Sequence, residues 1–381
     1  MSMDIDTLCI HGSDIRYDTT GALSVPIFQS ATFEHPGVGQ STGYDYSRVQ
    51  NPTREHLERT LARLENGVDA LAFSSGMAAL TALMELFSPG DHIIASDDLY
   101  GGSRRLFDNV SMKNGLKFDF VNTSNKPEIE KSIRAETKAI FIETPTNPMM
   151  QVTDISEVSR LCRERGLLLI VDNTFLTPYF QRPLDLGADI VLHSGTKYLC
   201  GHNDTLAGFL VVADPGLSER LRFIYKTTGA CLSPFDSWLL IRGIKTLHIR
   251  MQRQQENAIK IARWLCEQEK VRAVHYVGLP SHPGYSVSVR QASGFGAMIS
   301  FEVDSEKTAL RLLENVKIIK YAESLGGVES LITYPILQTH ADLPEEVRKL
   351  KRINETLLRL SVGIECVDDL IADLTQAIEV C

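Results

Sequence analysis

Two apolar runs about twenty residues apart constrain the fold of this chain most. Residues 167–171 and 190–193 have the length of strands, and polar residues follow each run at once. Such runs are typical of buried parallel strands, and α/β sheets place ligands at the carboxyl ends of these strands. The first run ends in Asp172, and the second is followed by Lys197. We therefore expect an aspartate and a lysine to face one crevice.

An aspartate and a lysine at one crevice suit pyridoxal phosphate (PLP). A lysine forms a Schiff base with the aldehyde of PLP, and a carboxylate keeps its pyridine nitrogen protonated. The small hydroxyl residues Ser194 and Thr196 flank this lysine in the stretch Ile190-Val-Leu-His-Ser-Gly-Thr-Lys-Tyr-Leu199. The alternative is a structural aspartate and lysine near a sheet edge, and the pair by itself does not decide between the two.

Composition and charge exclude several classes of protein. The formal net charge is −9 and there is no long basic run, which argues against a nucleic-acid or acidic-membrane partner. No apolar stretch approaches the roughly 20 residues of a membrane span, and the first residues lack a signal pattern. The seven cysteines are scattered without a CxxC pair, so we expect reduced thiols, a cytoplasmic protein and no metal site.

The order of predicted elements indicates three segments. Residues 1–51 are rich in Gly, Ser, Thr and Pro, and we expect an extended arm. Strands and helices alternate over residues 52–245, which predicts a mainly parallel, doubly wound sheet in a large α/β domain. A long helical stretch over residues 235–267 leads into a smaller α+β domain, residues 246–381.

Three further segments offer contacts to a flat, phosphorylated cofactor. In Phe73-Ser-Ser-Gly-Met-Ala78 a strand turns into a helix, so Gly76 and Met77 can present backbone N–H groups to a phosphate. Tyr100 precedes two glycines and can stack on a ring. Asn147 lies between two prolines and can hydrogen-bond the ring oxygen. Each segment, taken alone, is equally compatible with an ordinary turn.

Together these segments resemble the Cys/Met metabolism (trans-sulfuration) family of PLP enzymes. The resemblance extends from Gly43-Tyr-Asp-Tyr-Ser-Arg48 and Asn51-Pro-Thr-Arg54 to Leu357-Leu-Arg-Leu-Ser-Val-Gly363. Its most specific part is Asp189-Ile-Val-Leu-His-Ser-Gly-Thr-Lys-Tyr-Leu-Cys-Gly-His202. It implies the aspartate-aminotransferase-like fold (fold type I), with a seven-stranded sheet in the large domain, and PLP as cofactor.

The resemblance also implies residue roles. Lys197 would carry the Schiff base and move protons, and Tyr100 would stack on the ring and assist proton transfer. Cofactor contacts would come from Asp172, Gly76, Met77, Ser194, Thr196 and Asn147, and from Tyr46 and Arg48 reaching the adjacent subunit's phosphate. Arg359 would clamp the substrate carboxylate, with Ser324, Glu323 and Asn147 also at the substrate. The implied assembly is a homotetramer with active sites shared between subunits.

Two positions favour one branch of the family. Glu323 resembles the acid of cystathionine γ-synthases and γ-lyases, and Gly102 differs from the cysteine of methionine-degrading members. We therefore expect γ-replacement or γ-elimination on cystathionine or an O-acylhomoserine. Cystathionine β-lyase and methionine γ-lyase are the alternatives. A PLP aminotransferase and a catalytically silent PLP-fold binding protein are more distant ones.

Overall fold

Two β-sheets, with helices packed on them, organise the protein. The computed structural model describes residues 3–13, 15, 20–339, 341 and 345–380. The strands of the first sheet are β1 (Asp69–Phe73), β2 (His92–Ser96), β3 (Lys117–Val121), β4 (Thr137–Glu143), β5 (Leu168–Asp172), β6 (Ile190–Ser194) and β7 (Gly208–Val212). Those of the second sheet are β8 (Val271–His275), β9 (Met298–Val303), β10 (Lys320–Tyr321), β11 (Leu331–Thr333) and β12 (Leu357–Ser361).

The first sheet confirms the prediction of seven mainly parallel strands. Its order is β1-β7-β6-β5-β4-β2-β3. The five strands from β3 to β6 in this order are parallel, while β7 runs antiparallel to both β6 and β1. The central strands β4 to β7 are buried almost throughout, as their apolar sequences predict. Because β4, β5 and β6 are parallel, their carboxyl ends meet at one edge.

Helices cover the sheets. They are α1 (Ile5–His11), α2 (Pro52–Leu64), α3 (Gly76–Met84), α4 (Gly101–Leu106), α5 (Lys126–Ser132), α6 (Ile155–Arg165), α7 (Thr177–Phe180), α8 (Pro215–Thr228), α9 (Pro234–Ile244), α10 (Leu247–Cys266), α11 (Tyr285–Gln291), α12 (Glu306–Asn315), α13 (Glu345–Leu350) and α14 (Val367–Glu379), with a π-helical turn at Phe107–Ser111. In α2 the stripe of Leu57, Leu61 and Leu64 is fully buried, as its spacing predicts.

The second sheet has the order β10-β11-β12-β9-β8 and is mostly antiparallel. Strand β12 at its centre carries Arg359, which is 2% exposed. The long helical stretch is two helices, since α9 ends at Ile244 and α10 begins at Leu247. The domain boundaries predicted near residues 51 and 245 stay predictions, although the second coincides with this break.

Three elements were not predicted from the sequence. Helix α1 lies inside the segment that was expected to be extended. It forms because Asp4 caps it and because Leu8 and Cys9 pack into the core. Strand β8 is an edge strand of mixed polarity, and β11 has only three residues. Short or half-exposed strands lack a distinctive hydrophobic period. Within the described ranges, no helix is both long and apolar enough to cross a membrane.

Candidate active site

A cavity of about 460 Å³ opens at the carboxyl edge of the first sheet. Its size is typical of small-molecule sites. Most of the residues expected at the site line it, namely Gly76, Met77, Tyr100, Asn147, Asp172, Ser194, Thr196, Lys197, Glu323, Ser324 and Arg359. They come from both sheets and from the turns between their elements. The fold thus gathers residues that are up to 283 positions apart, from Gly76 to Arg359.

Lys197 is held in the turn that follows β6. Its backbone N–H donates to the Ser194 carbonyl over 3.3 Å, and its Nζ donates to Ser324 Oγ over 3.0 Å. Burial, aided by the Arg359 charge and opposed by the Glu323 charge, lowers the pKa of Lys197 to about 8. A lysine with such a pKa has a substantial neutral fraction near neutral pH, which nucleophilic and base chemistry requires.

Asp172 ends β5 and lines the cavity. The backbone N–H and the hydroxyl of Thr174 both donate to Oδ1, over 3.0 and 2.6 Å. Burial raises the pKa of Asp172, while these hydrogen bonds and the His193 charge lower it. Among the described residues Oδ2 has no donor. A protonated ring nitrogen would supply the missing partner and favour the ionised carboxylate.

The amino end of α3 forms a cradle for an anion. Ser75 caps this nine-residue helix by accepting the Ala78 N–H over 3.0 Å, so Gly76 and Met77 occupy its first two positions. N–H groups at these positions have no intrahelical acceptor. A Cβ at Gly76 would lie 3.1 Å from the Ser194 Cβ, so glycine permits the close approach of this turn to β6. Thr196 lines the cavity beside it.

Tyr100 is positioned by a carboxylate that the sequence interpretation did not single out. The Tyr100 backbone N–H donates to Glu143 Oε2 over 3.0 Å. Glu143 ends β4, directly beside Asp172 in the register of β5. A side chain at Gly102 would meet the Tyr100 ring, which explains why a glycine suits this position. The sequence did contain a signal for Glu143, because this acid follows the apolar run of residues 139–142, just as Asp172 follows its own run.

Arg359 connects the second sheet to the cavity. Its guanidinium donates to Asn147 Oδ1 over 2.8 Å, and to the Ser324 carbonyl and Thr333 Oγ1 over 3.2 Å each. Burial lowers its pKa to about 10, and Nε is buried without a partner in the described part of the chain. Since a guanidinium has five N–H donors, some remain for a ligand carboxylate.

Tyr46 and Arg48 lie outside the cavity of their own chain. Both are exposed, with the Arg48 guanidinium 5.5 Å from the centre of the Tyr46 ring and donating to the Lys226 carbonyl. The segment carrying them is held by α2, because Arg54 donates to the Ser47 carbonyl over 2.7 Å. Their expected role, in the site of an adjacent subunit, stays a prediction.

The cavity fits PLP on three independent features. Lys197 has a lowered pKa, suited to bonding with an aldehyde. Asp172 Oδ2 is an acceptor without a donor among the described residues, suited to a pyridinium nitrogen. The amino end of α3 offers N–H groups to a phosphate. Lys197, Asp172, Gly76 and Met77 are therefore the residues that would hold the cofactor.

Comparisons with known proteins agree with this assignment. A family model described as "Cys/Met metabolism PLP-dependent enzyme" matches residues 6–379. Cystathionine gamma-lyase of Bacillus subtilis is 51% identical over 98% of both chains. Cystathionine beta-lyase of Lactococcus lactis is 49% identical over 98% of this chain and 99% of its own. The structure of cystathionine gamma synthase from Xanthomonas oryzae in complex with cystathionine superposes with a TM-score of 0.97, at 38% identity, over 100% and 98% of the two chains.

These matches confirm the fold and the cofactor expected from the sequence. The architecture is that of PLP-dependent enzymes of fold type I, and the family is one of enzymes, so a catalytically silent binding protein is not supported. The match covers nearly the whole chain. The chain therefore belongs to the Cys/Met metabolism family of PLP-dependent enzymes.

Proposed function

We propose that this enzyme breaks or forms the γ-carbon–sulfur bond of cystathionine, by γ-elimination or by γ-replacement on an O-acylhomoserine. One observation carries the proposal: a single cavity contains the lysine, the buried Arg359 and the exposed carboxylate of Glu323. Arg359 suits the α-carboxylate of an amino acid, and Glu323 suits the second amino group of cystathionine or the amino group of cysteine. A relative named for each of these activities supports it.

The residues of this chain would divide the work as follows. When bound, PLP supplies an electron sink that stabilises negative charge at the substrate α-carbon. Lys197, with its lowered pKa, would take the proton from that carbon, and removal of a second proton from the β-carbon would let the γ-substituent leave with its bonding electrons. Asp172 would pair with the protonated ring nitrogen and so keep it positively charged. Tyr100 would cover the ring and assist proton transfer. Arg359 and Asn147 would orient the carboxylate.

A second candidate activity is β-elimination from cystathionine. The specific observation that favours it is the 49% identity with a cystathionine beta-lyase, close to the 51% identity with a gamma-lyase. Product analysis with cystathionine separates the two, since γ-elimination yields 2-oxobutyrate and β-elimination yields pyruvate. We expect 2-oxobutyrate, or cystathionine formation when an O-acylhomoserine and cysteine are supplied. Pyruvate as the sole keto acid would overturn the γ assignment.

Glu323 provides a test of substrate preference. Glu323→Val should erode the preference for cystathionine over methionine by about 10–100-fold, because a hydrogen bond to a charged group contributes roughly 1.5–3 kcal/mol. The comparison to measure is the ratio of kcat/KM for the two substrates. Glu314→Val, an exposed glutamate on α12, is the matched control. An unchanged ratio in Glu323→Val would assign the preference to another residue.

We also propose a homotetramer in which each active site is completed by the arm of an adjacent subunit. The exposure of Tyr46 and Arg48, and of Leu23 and Val38 in the same segment, supports this proposal, because exposed apolar side chains are typical of a surface covered in an assembly. A cytoplasmic location fits the six free cysteines of the described residues.

Sharing of the site can be tested by subunit mixing. Arg48→Ala should weaken PLP retention without unfolding the subunit, since Arg48 is exposed. Mixed with Lys197→Ala under conditions of subunit exchange, it should recover about a quarter of wild-type activity, because half of random dimers are hybrids with one intact site.

The control mixture pairs Arg48→Ala with the double variant, Arg48→Ala and Lys197→Ala, which cannot assemble an intact site. Recovery limited to the first mixture supports a shared site. Equal activity of both mixtures, with exchange demonstrated by a tag, would argue that Arg48 acts within its own subunit.

A further inference from the structure

Glu143 is a carboxylate in the cavity to which the proposed chemistry assigns no role. It ends β4 and is aligned with Asp172 at the end of β5, so the two residues are neighbours across strands spaced about 4.8 Å apart. Both line the cavity. Two carboxylates side by side cannot both be ionised at low cost, and the protein has to neutralise one of them.

The surroundings of Glu143 contain no cation paired with it. Its side chain is 5% exposed, and within the described residues it forms no ion pair. The charged groups that act on it include Asp172, Asp98 two residues after β2, and Arg359 on β12, and Tyr100 donates to it. Arg359 donates to Asn147, Ser324 and Thr333 instead of Glu143.

Each carboxylate accepts two hydrogen bonds, so the surrounding charges distinguish the two. Asp172 Oδ1 accepts two hydrogen bonds from Thr174, and the neighbouring His193 charge also favours the ionised form. Burial and the Asp172 charge raise the pKa of Glu143 well above its usual value. The hydrogen bonds from the backbone N–H groups of Tyr100 and Asn147 lower it by less than burial and the Asp172 charge raise it. The ionised member of the pair is therefore Asp172.

We propose that Glu143 is a positioning residue that carries a proton beside ionised Asp172, while its Oε2 holds the Tyr100 backbone at the edge of the cavity. This inference rests on the roles proposed above for Asp172 and Tyr100. A neutral Glu143 leaves Asp172 as the one negative charge directed at the cofactor nitrogen. Glu143 also fixes the start of α4 through the Tyr100 N–H, and with it the Tyr100 ring that would cover the cofactor.

The charge of Glu143 can be measured in the holoenzyme through the pH midpoint of the cofactor's visible band, which follows protonation at the Lys197 nitrogen. Glu143→Gln replaces a neutral acid with a neutral amide, so the midpoint should stay within about 0.3 pH units of wild type. If Glu143 were ionised, removing its charge near the cofactor would lower the midpoint by about one unit or more. That result would overturn the proposal.

Glu323→Gln is the positive control for this measurement. The Glu323 charge raises the pKa of Lys197, so this variant should show a lower midpoint and prove that the band senses a lost carboxylate charge. The band requires only bound PLP. Failure of the wild-type enzyme to process cystathionine would therefore count against the proposed function and leave the test of Glu143 intact.

Activity gives an independent readout of positioning. Glu143→Leu keeps a similar volume but removes the acceptor for the Tyr100 N–H, and kcat should fall by about 10-fold or more with little change in the KM for substrate. Glu143→Gln should recover most of that loss, because its amide oxygen can accept the same hydrogen bond. A Gln variant as impaired as the Leu variant would show that the ionised carboxylate is what matters.

Discussion

Replacement of Lys197 by alanine should reduce turnover by about 1000-fold or more while leaving the cofactor site able to bind PLP. The expected loss is large because one amine both bonds with the cofactor aldehyde and moves the substrate protons, and general acid–base catalysis alone contributes about 100- to 10,000-fold. Binding should persist through Asp172 and the amino end of α3. The measurements are kcat with cystathionine and retention of PLP on gel filtration.

The control for this experiment is Lys138→Ala, an exposed lysine on β4 that lies away from the cavity. Borohydride treatment followed by peptide mapping should place the reduced cofactor on Lys197 in the control and on no residue in Lys197→Ala. A fully active Lys197→Ala enzyme, or a cofactor attached to another lysine, would contradict the assignment.

The strands that carry the chemistry were predictable from the sequence. The predicted run 167–171 lies one residue before β5 at both ends, and the run 190–193 starts with β6 and ends one residue short of it. These strands are short apolar runs bounded by polar residues, a pattern that follows directly from burial on both faces of a parallel sheet. Because parallel strands end at one edge, the pattern of residues alone predicts Asp172 and Lys197 in one crevice.

Other parts of the fold could not be predicted, because their stability depends on distant partners. Helix α1 has only seven residues, too few to be stable alone, and it forms because Leu8 and Cys9 bury against the core. Strand β11 has three residues and exists by pairing with β10 and β12. Tertiary context of this kind leaves little trace in a local hydrophobic period.

The candidate site shows the same division. The local sequence at the strand ends and in the turn at Gly76 indicates what those residues can bind. Arg359, Ser324 and Glu323, in contrast, were expected only through the family resemblance. Glu143 was not predicted, because the two prolines around Asn147 are the stronger local signal in its segment. Its significance comes from its neighbours, because the register of β4 against β5 places this second carboxylate directly beside Asp172.

The last prediction concerns Arg359, and it follows from how its guanidinium is held. The side chain is 2% exposed and donates to Asn147, Ser324 and Thr333, so the N–H groups that remain have a fixed direction. Arg359→Lys retains a positive charge but loses the planar fork. With two hydrogen bonds to a carboxylate impaired, each contributing roughly 1.5–3 kcal/mol, kcat/KM should fall by about 100-fold or more. Most of the loss should appear as a raised KM.

Arg290→Lys is the matched control, because Arg290 forms an exposed ion pair with Asp154 away from the cavity and should tolerate the change. The visible band of bound PLP should be retained in both variants, which separates loss of substrate binding from loss of the cofactor. Amino-acid amides, which lack the α-carboxylate, should discriminate little between wild-type enzyme and Arg359→Lys. If the variant kept the wild-type KM for cystathionine, the carboxylate would bind elsewhere, and the three hydrogen bonds of Arg359 would serve only to join the second sheet to the cavity wall.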